Sequence, residues 1–121
     1  MGGHSWNLGG ASGEGVMAVS DVFRALGDPV RLTMVRRLTG RGPWTVGSVS
    51  EGLGVTRQGA RKHLQVLADA RLIVLRPKGR ETVVSLEPEA FGEATTFLAE
   101  IERQWDGRLE ALRRSIEEPD L

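Results

Sequence analysis

Along this chain the apolar residues change their spacing several times, and each change marks an element. Val22, Phe23 and Leu26 form the apolar side of a short helix that Ser20 can cap and Gly27 can close. Asp28-Pro29 then supplies a cap and a first helical residue, and Val30, Met34, Val35 and Leu38 recur at helical spacing until Gly40. Two helices therefore meet at a sharp corner. After the Arg41-Gly42-Pro43 break, Thr45 caps a third helix with Val46, Val49 and Leu53 on one side. Gly47 and Gly52 each weaken that helix by about 1 kcal/mol relative to alanine, so packing must hold it. Gly54-Val55 is a tight turn, and Thr56 caps a fourth helix reaching Ala70, in which Ala60, Leu64 and Leu67 point inward.

A helix, a short glycine-containing turn and a second capped helix make a helix-turn-helix. The runs Leu72 to Arg76 and Glu81 to Leu86 are β-rich, and Pro77-Lys78-Gly79-Arg80 between them supplies a hairpin turn, giving a wing. Pro88 opens a last helix in which Phe91, Ala94, Leu98, Ile101, Trp105, Leu109, Leu112 and Ile116 step by three or four residues. At 1.5 Å per residue this helix is roughly 40 Å long, more than one small domain can cover, so part of its stripe should face a second subunit. The fold class is thus mainly α with a small β-hairpin wing: a winged helix-turn-helix of five helices. Its expected organisation is a flexible glycine-rich arm over 1–18, a DNA-binding domain over 19–87, a dimerisation helix over 88–118 and a tail over 119–121.

Charge sharpens this picture. The chain has 121 residues, enough for one domain, and its 16 basic and 16 acidic residues cancel. Their distribution does not. From Arg57 to Arg80 stand seven basic residues against the single acid Asp69, whereas from Glu87 to Leu121 ten acids face four arginines. One face is built for an anion, and the tail is not.

The fourth helix meets the requirements of a major-groove reader, with one face on the core and the other free. Arg57 and Arg61 suit bidentate contacts to guanine and Gln58 suits adenine, with Gln65 further along the same face. Thr56 and Lys62 are placed for the DNA backbone. His63, on the inner edge of the helix, fits either a partly buried hydrogen bond to backbone or a contact with a phosphate. Lys78 and Arg80 flank the wing turn and Arg76 lies at its base, where long cations can enter the minor groove or clasp the backbone.

Other chemistry finds little support. The chain has no cysteine, which excludes disulfides, thiolate metal sites and thiol redox sensing. It offers no tyrosine, one histidine outside the arm and no glycine-rich phosphate motif after a strand, so an enzyme is not expected. No run approaches the length of an apolar membrane span and no leader pattern is present, which places the protein in the cytoplasm. No cofactor is called for.

These residues resemble the ArsR/SmtB family of winged-helix repressors over residues 20–118. "FRALGDPVRLTMVRRL" looks like the family's opening helices, "VTRQGARKHLQVLADARLI" like its recognition helix and "RPKGRETVVSL" like its wing. The resemblance implies a homodimer with paired terminal helices, double-stranded DNA as partner, an operator with two-fold symmetry, repression with autoregulation, and release by a small effector of unidentified chemistry. The chain departs from the metal-sensing members: "WTVGSVSEGLG" stands where they carry a cysteine motif, and the last helix has no histidine. Soft or borderline metals need sulfur or nitrogen ligands, so no metal site is expected. Glu102, Asp106 and Glu110 repeat at four residues and read as an exposed acidic face, with Glu110 placed to pair with Arg114. The competing reading is a winged-helix protein-interaction module, against which the basic face argues. An apolar effector near Phe91, Phe97, Leu98 and Trp105 is a further alternative to plain interface core there.

Overall fold

Capped helix starts and left-handed glycines divide the chain. The computed structural model describes residues 12–117, with side chains from Ala18 onward, and the order is α1 (Ser12–Leu26), α2 (Pro29–Leu38), β1 (Trp44–Thr45), α3 (Val46–Ser50), α4 (Arg57–Asp69), β2 (Ile73–Lys78), β3 (Glu81–Leu86) and α5 (Pro88–Glu117). Asp28 caps α2 by accepting from the amides of Val30 at 2.8 Å and Arg31 at 3.2 Å. Thr45 and Ser48 form a reciprocal capping box on α3, and Thr56 caps α4.

Two helix boundaries differ from expectation. Ser20 is not a cap, because α1 already begins at Ser12. Once one turn is nucleated, extension is cheap, and α1 packs along α5, so tertiary packing overrides the poor propensity of its glycines. The expected flexible arm over 1–18 is therefore helical from Ser12; the rest of the arm and the tail over 119–121 lie outside the described residues. Helix α3 is shorter than expected: Glu51 is extended and Gly52 sits at φ +77°, which ends the helix at Ser50, three residues before Leu53, although Leu53 still packs on the core.

The sheet is antiparallel in the order β1-β3-β2. β2 and β3 form the wing, with Lys78 opposite Glu81 across a two-residue Gly79-Arg80 turn that Gly79 enters at φ +63°. Pro77 is tolerated because β2 is an edge strand. The short β1 was not expected; Trp44 and Thr45 pair with Val84 and Val83 and seat the start of α3 on the wing.

One core joins these elements. Met34, Leu64, Leu67, Leu72, Val22, Val49 and Val84 are its largest fully buried side chains, drawn from α1 to β3. Helix α5 joins through Ala90 and Ala94, with Phe91 partly buried against the same cluster. Phe23 and Phe97 meet at 6.0 Å between α1 and α5.

Candidate nucleic-acid interface

The two faces of α4 differ completely. Ala60, Leu64 and Leu67 are fully buried, while Arg57, Gln58, Arg61, Lys62 and Gln65 are exposed on the other side. The expected split of this helix into an anchored and a presented face is present in the structure. Gln65 turns along the helix to donate to Asp69 at 2.9 Å, so the presented donors concentrate in the first two turns. Thr56 Oγ1 accepts from the Gly59 amide at 2.9 Å, which leaves its hydroxyl hydrogen at the helix start.

Three devices hold that helix in place. Arg37 of α2 donates to the carbonyls of Val49 and Glu51, clamping the end of α3. Gly52 and Gly54 then turn the chain in left-handed conformations toward Thr56. Arg31 of α2 donates through Nε to the Ala25 carbonyl at 2.6 Å and through a terminal nitrogen to Nδ1 of His63 at 3.0 Å. A guanidinium has no acceptor, so Nδ1 of His63 accepts and the neutral ring carries its hydrogen on Nε2. His63 is half-buried, as one of its two readings required, but its partner is an arginine side chain rather than backbone. This contact was illegible beforehand, since Arg31 and His63 lie on different helices. The Arg31 amide also holds the Asp28 carboxyl below its usual value, against a smaller opposing effect of desolvation.

The far end of α4 is closed by a backbone motif. Leu72 N–H donates to Leu67 O at 3.0 Å and Arg71 N–H to Ala68 O at 2.9 Å, which places Arg71 in the left-handed region at φ +65°. A glycine would adopt that conformation without steric cost; arginine does not.

The wing presents Arg76, Lys78 and Arg80, all exposed. Among the described residues, no carboxylate lies within 4.0 Å of Arg57, Arg61, Lys62, Arg76, Lys78 or Arg80; the ion pairs found there are confined to α1 and α5. Arg57 and Arg61 also share a small cleft with Arg80 of the wing turn. The structure thus brings the helix cations and one wing cation together.

The apolar stripe of α5 splits in two. Ala94 is buried in the chain's own core, whereas Phe91, packed against that core, keeps part of its surface exposed. From Leu98 onward the stripe is open: Leu98, Ile101, Trp105, Leu109, Leu112 and Ile116 are all exposed, Trp105 by 57%. Glu110 pairs with Arg113 at 3.3 Å, not with Arg114. Among the described residues no three histidine, cysteine or acidic side chains gather as metal ligands, and no helix is long and apolar enough to cross a membrane.

Comparison with known proteins points the same way. Residues 26–76 match the helix-turn-helix domain family. The HTH-type transcriptional regulator Rv2034 of Mycobacterium tuberculosis is 34% identical over 95 residues, covering 78% of this chain and 85% of that protein. The ArsR-like transcriptional regulator from Rhodococcus sp. RHA1 superposes with a TM-score of 0.68 at 30% identity, over 87% of this chain and 97% of that one. The homodimeric winged helix-turn-helix DNA-binding domain Mb0332 from Mycobacterium bovis shares the fold, with a TM-score of 0.56 at 23% identity over 79% of this chain and 85% of its own.

Proposed function

This chain belongs to the ArsR family of winged-helix DNA-binding transcriptional regulators, and we propose that it acts as a homodimeric repressor on an operator with two-fold symmetry. The observation that carries this reading is the unpaired basic face formed by the first turns of α4 and the wing. Cations with no carboxylate partner among the described residues are available to phosphates, and each phosphate neutralised releases counterions. Arg57, Gln58 and Arg61 read base edges in the major groove, Lys62 and Thr56 hold the adjoining backbone, and His63 adds Nε2–H from the edge of the helix. Arg76, Lys78 and Arg80 carry the wing along the flanking groove.

The second copy is supported by the open stripe from Leu98 to Leu112, which one chain leaves exposed. Pairing of the outer halves of α5 would bury it and set two recognition helices on successive major grooves. Residues 19–87 then form the DNA-binding unit and 88–118 the dimerisation helix. Repression follows from occupancy of a promoter, its own included.

Selection from a random duplex library at two salt concentrations tests this. Enrichment of a palindrome with half-sites about one helical turn apart is the expected result. If nothing were enriched and weak binding vanished with salt, the protein-interaction reading would replace it.

A further inference from the structure

The cleft between α4 and the wing gathers charge in a way that general DNA attraction does not require. Arg57 and Arg61 approach from the first turns of the helix and Arg80 from the wing turn, around a space of about 100 Å3. Thr45 and Thr82 supply polar walls, and Glu81 is the one carboxylate among its lining residues. Glu81 is not within 4.0 Å of any of the three guanidinium groups.

Three like charges around one small space repel, and an anion between them adds an attraction to each that offsets this repulsion. Guanidinium forks match the oxygens of a phosphate in pairs, which makes arginine the cation of choice for such a seat. The space is several times the roughly 15 Å3 that one water needs, enough for a tetrahedral oxyanion. We propose that this cleft is a seat for a single phosphate group, gripped jointly by Arg57, Arg61 and Arg80.

The proposal rests on the DNA-binding reading and deepens it. Each guanidinium has five N–H donors and a bidentate base contact uses two, so Arg57 and Arg61 can hold a phosphate with one edge and face guanine with the other. A phosphate in the cleft would fix both side chains before they meet a base, and Arg80 would carry that effect from the wing. The group has two sources, a phosphodiester of the DNA backbone or a free phosphate-bearing molecule.

The test uses the full chain without DNA, titrated with inorganic phosphate at ionic strength matched with sodium chloride. The amides of Gly47 and Thr82 and the arginine Nε–H signals are followed by NMR. The seat requires saturable shifts at these positions, weakened about tenfold in Arg80→Ala by loss of a charge-assisted contact. Glu81→Gln should tighten binding, and Arg108→Ala, the same charge change on α5, should leave it unaltered. Shifts that stay linear with concentration, or that respond equally to Arg80→Ala and Arg108→Ala, would overturn the seat in favour of a diffuse ion atmosphere.

A labelled duplex of arbitrary sequence then separates the sources. Displacement by phosphate from the wild type but not from Arg80→Ala assigns the seat to a backbone phosphodiester. Saturable phosphate binding without displacement assigns it to a free phosphate-bearing ligand. Saturable phosphate binding in a protein that binds no duplex removes the DNA reading and leaves the seat standing, whereas duplex binding with linear phosphate shifts removes the seat alone.

Discussion

The first turns of α4 and the outer half of α5 are both exposed helical surface, yet they treat their charges in opposite ways. On α5, Arg103 and Arg113 find acids one turn away at 3.3 to 3.9 Å, while the apolar stripe between those pairs is uncovered. On α4 and the wing, the apolar side is sealed in the core and, among the described residues, no carboxylate lies within 4.0 Å of the cations. What each helix leaves unsatisfied fits the partner proposed for it: an apolar surface in one case, a polyanion in the other. Intrahelical ion pairs contribute only a few tenths of a kcal/mol each, so their value on α5 lies in removing net positive charge rather than in stability.

The largest effect should come from placing a charge in the α5 stripe. Trp105→Glu or Leu98→Glu would bury a carboxylate in the proposed dimer interface at a cost of several kcal/mol, raising the dimer dissociation constant more than about a hundredfold. Sedimentation equilibrium reads this directly. An unchanged dimer would move the interface elsewhere and dissolve half of the comparison.

Next in size is the contrast between buried and exposed leucines. Leu64→Ala leaves a cavity beneath the recognition helix and should lower stability by about 2–5 kcal/mol. Leu109→Ala removes as many atoms from exposed surface and should cost the isolated fold almost nothing. Urea unfolding of both variants in a monomeric Trp105→Glu background separates the two helices; equal losses would mean that α5 is packed where it now stands exposed.

Much of this contrast was legible in the sequence. The caps Asp28, Thr45 and Thr56, the inward Ala60, Leu64 and Leu67, and a hairpin turning at Gly79 follow from local rules of spacing and capping; the register of that hairpin did not, since β2 runs through Pro77 to Lys78 rather than ending at Arg76. What escaped depends on distant neighbours. The two residues of β1 are too short for a period and acquire meaning only beside Val83 and Val84. Ala94 sits on the same stripe as Leu98, and periodicity cannot tell which of them the chain's own core covers. The Arg31–His63 contact and the convergence of Arg80 on Arg57 and Arg61 bring together residues from separate elements, and no local pattern encodes that meeting.

On the basic face, Arg57→Ala and Arg61→Ala should relax sequence preference, each losing about 1–3 kcal/mol of discrimination between bases. Lys78→Ala should instead weaken binding to all duplexes and flatten the salt slope by about one unit. Binding selections at two salt concentrations distinguish these outcomes, and losses from the arginines that ignore sequence would sink their assignment as base readers.

A smaller gain is expected at the other end of α4. Arg71→Gly relieves a left-handed residue and should raise stability by up to about 1 kcal/mol, the steric relief being partly offset by the greater freedom of glycine in the unfolded chain. Because Arg71 lies beyond the last turn, sequence preference should be unaffected. A thermal midpoint that fell would show that the arginine side chain stabilises the fold by a contact outweighing its backbone strain.

The smallest effect concerns the corner between α1 and α2, from which Arg31 reaches His63 on the recognition helix. The Asp28 carboxylate accepts from the amides of Arg31 and Val30, and its pKa is lowered from 3.8. A depressed carboxylate pKa means that the charged form is favoured in the folded chain. Its contribution is fully present above the unfolded value near 3.8 and is lost as pH falls through the lower folded value. Asp28→Asn keeps a good cap acceptor without the titration. The stability difference between wild type and Asp28→Asn should therefore be flat from neutral pH down to the ordinary carboxylate range and shift against the wild type below it. Urea midpoints at closely spaced pH values would show this, and a difference constant down to pH 2 would mean that the cap holds α2 equally well when protonated.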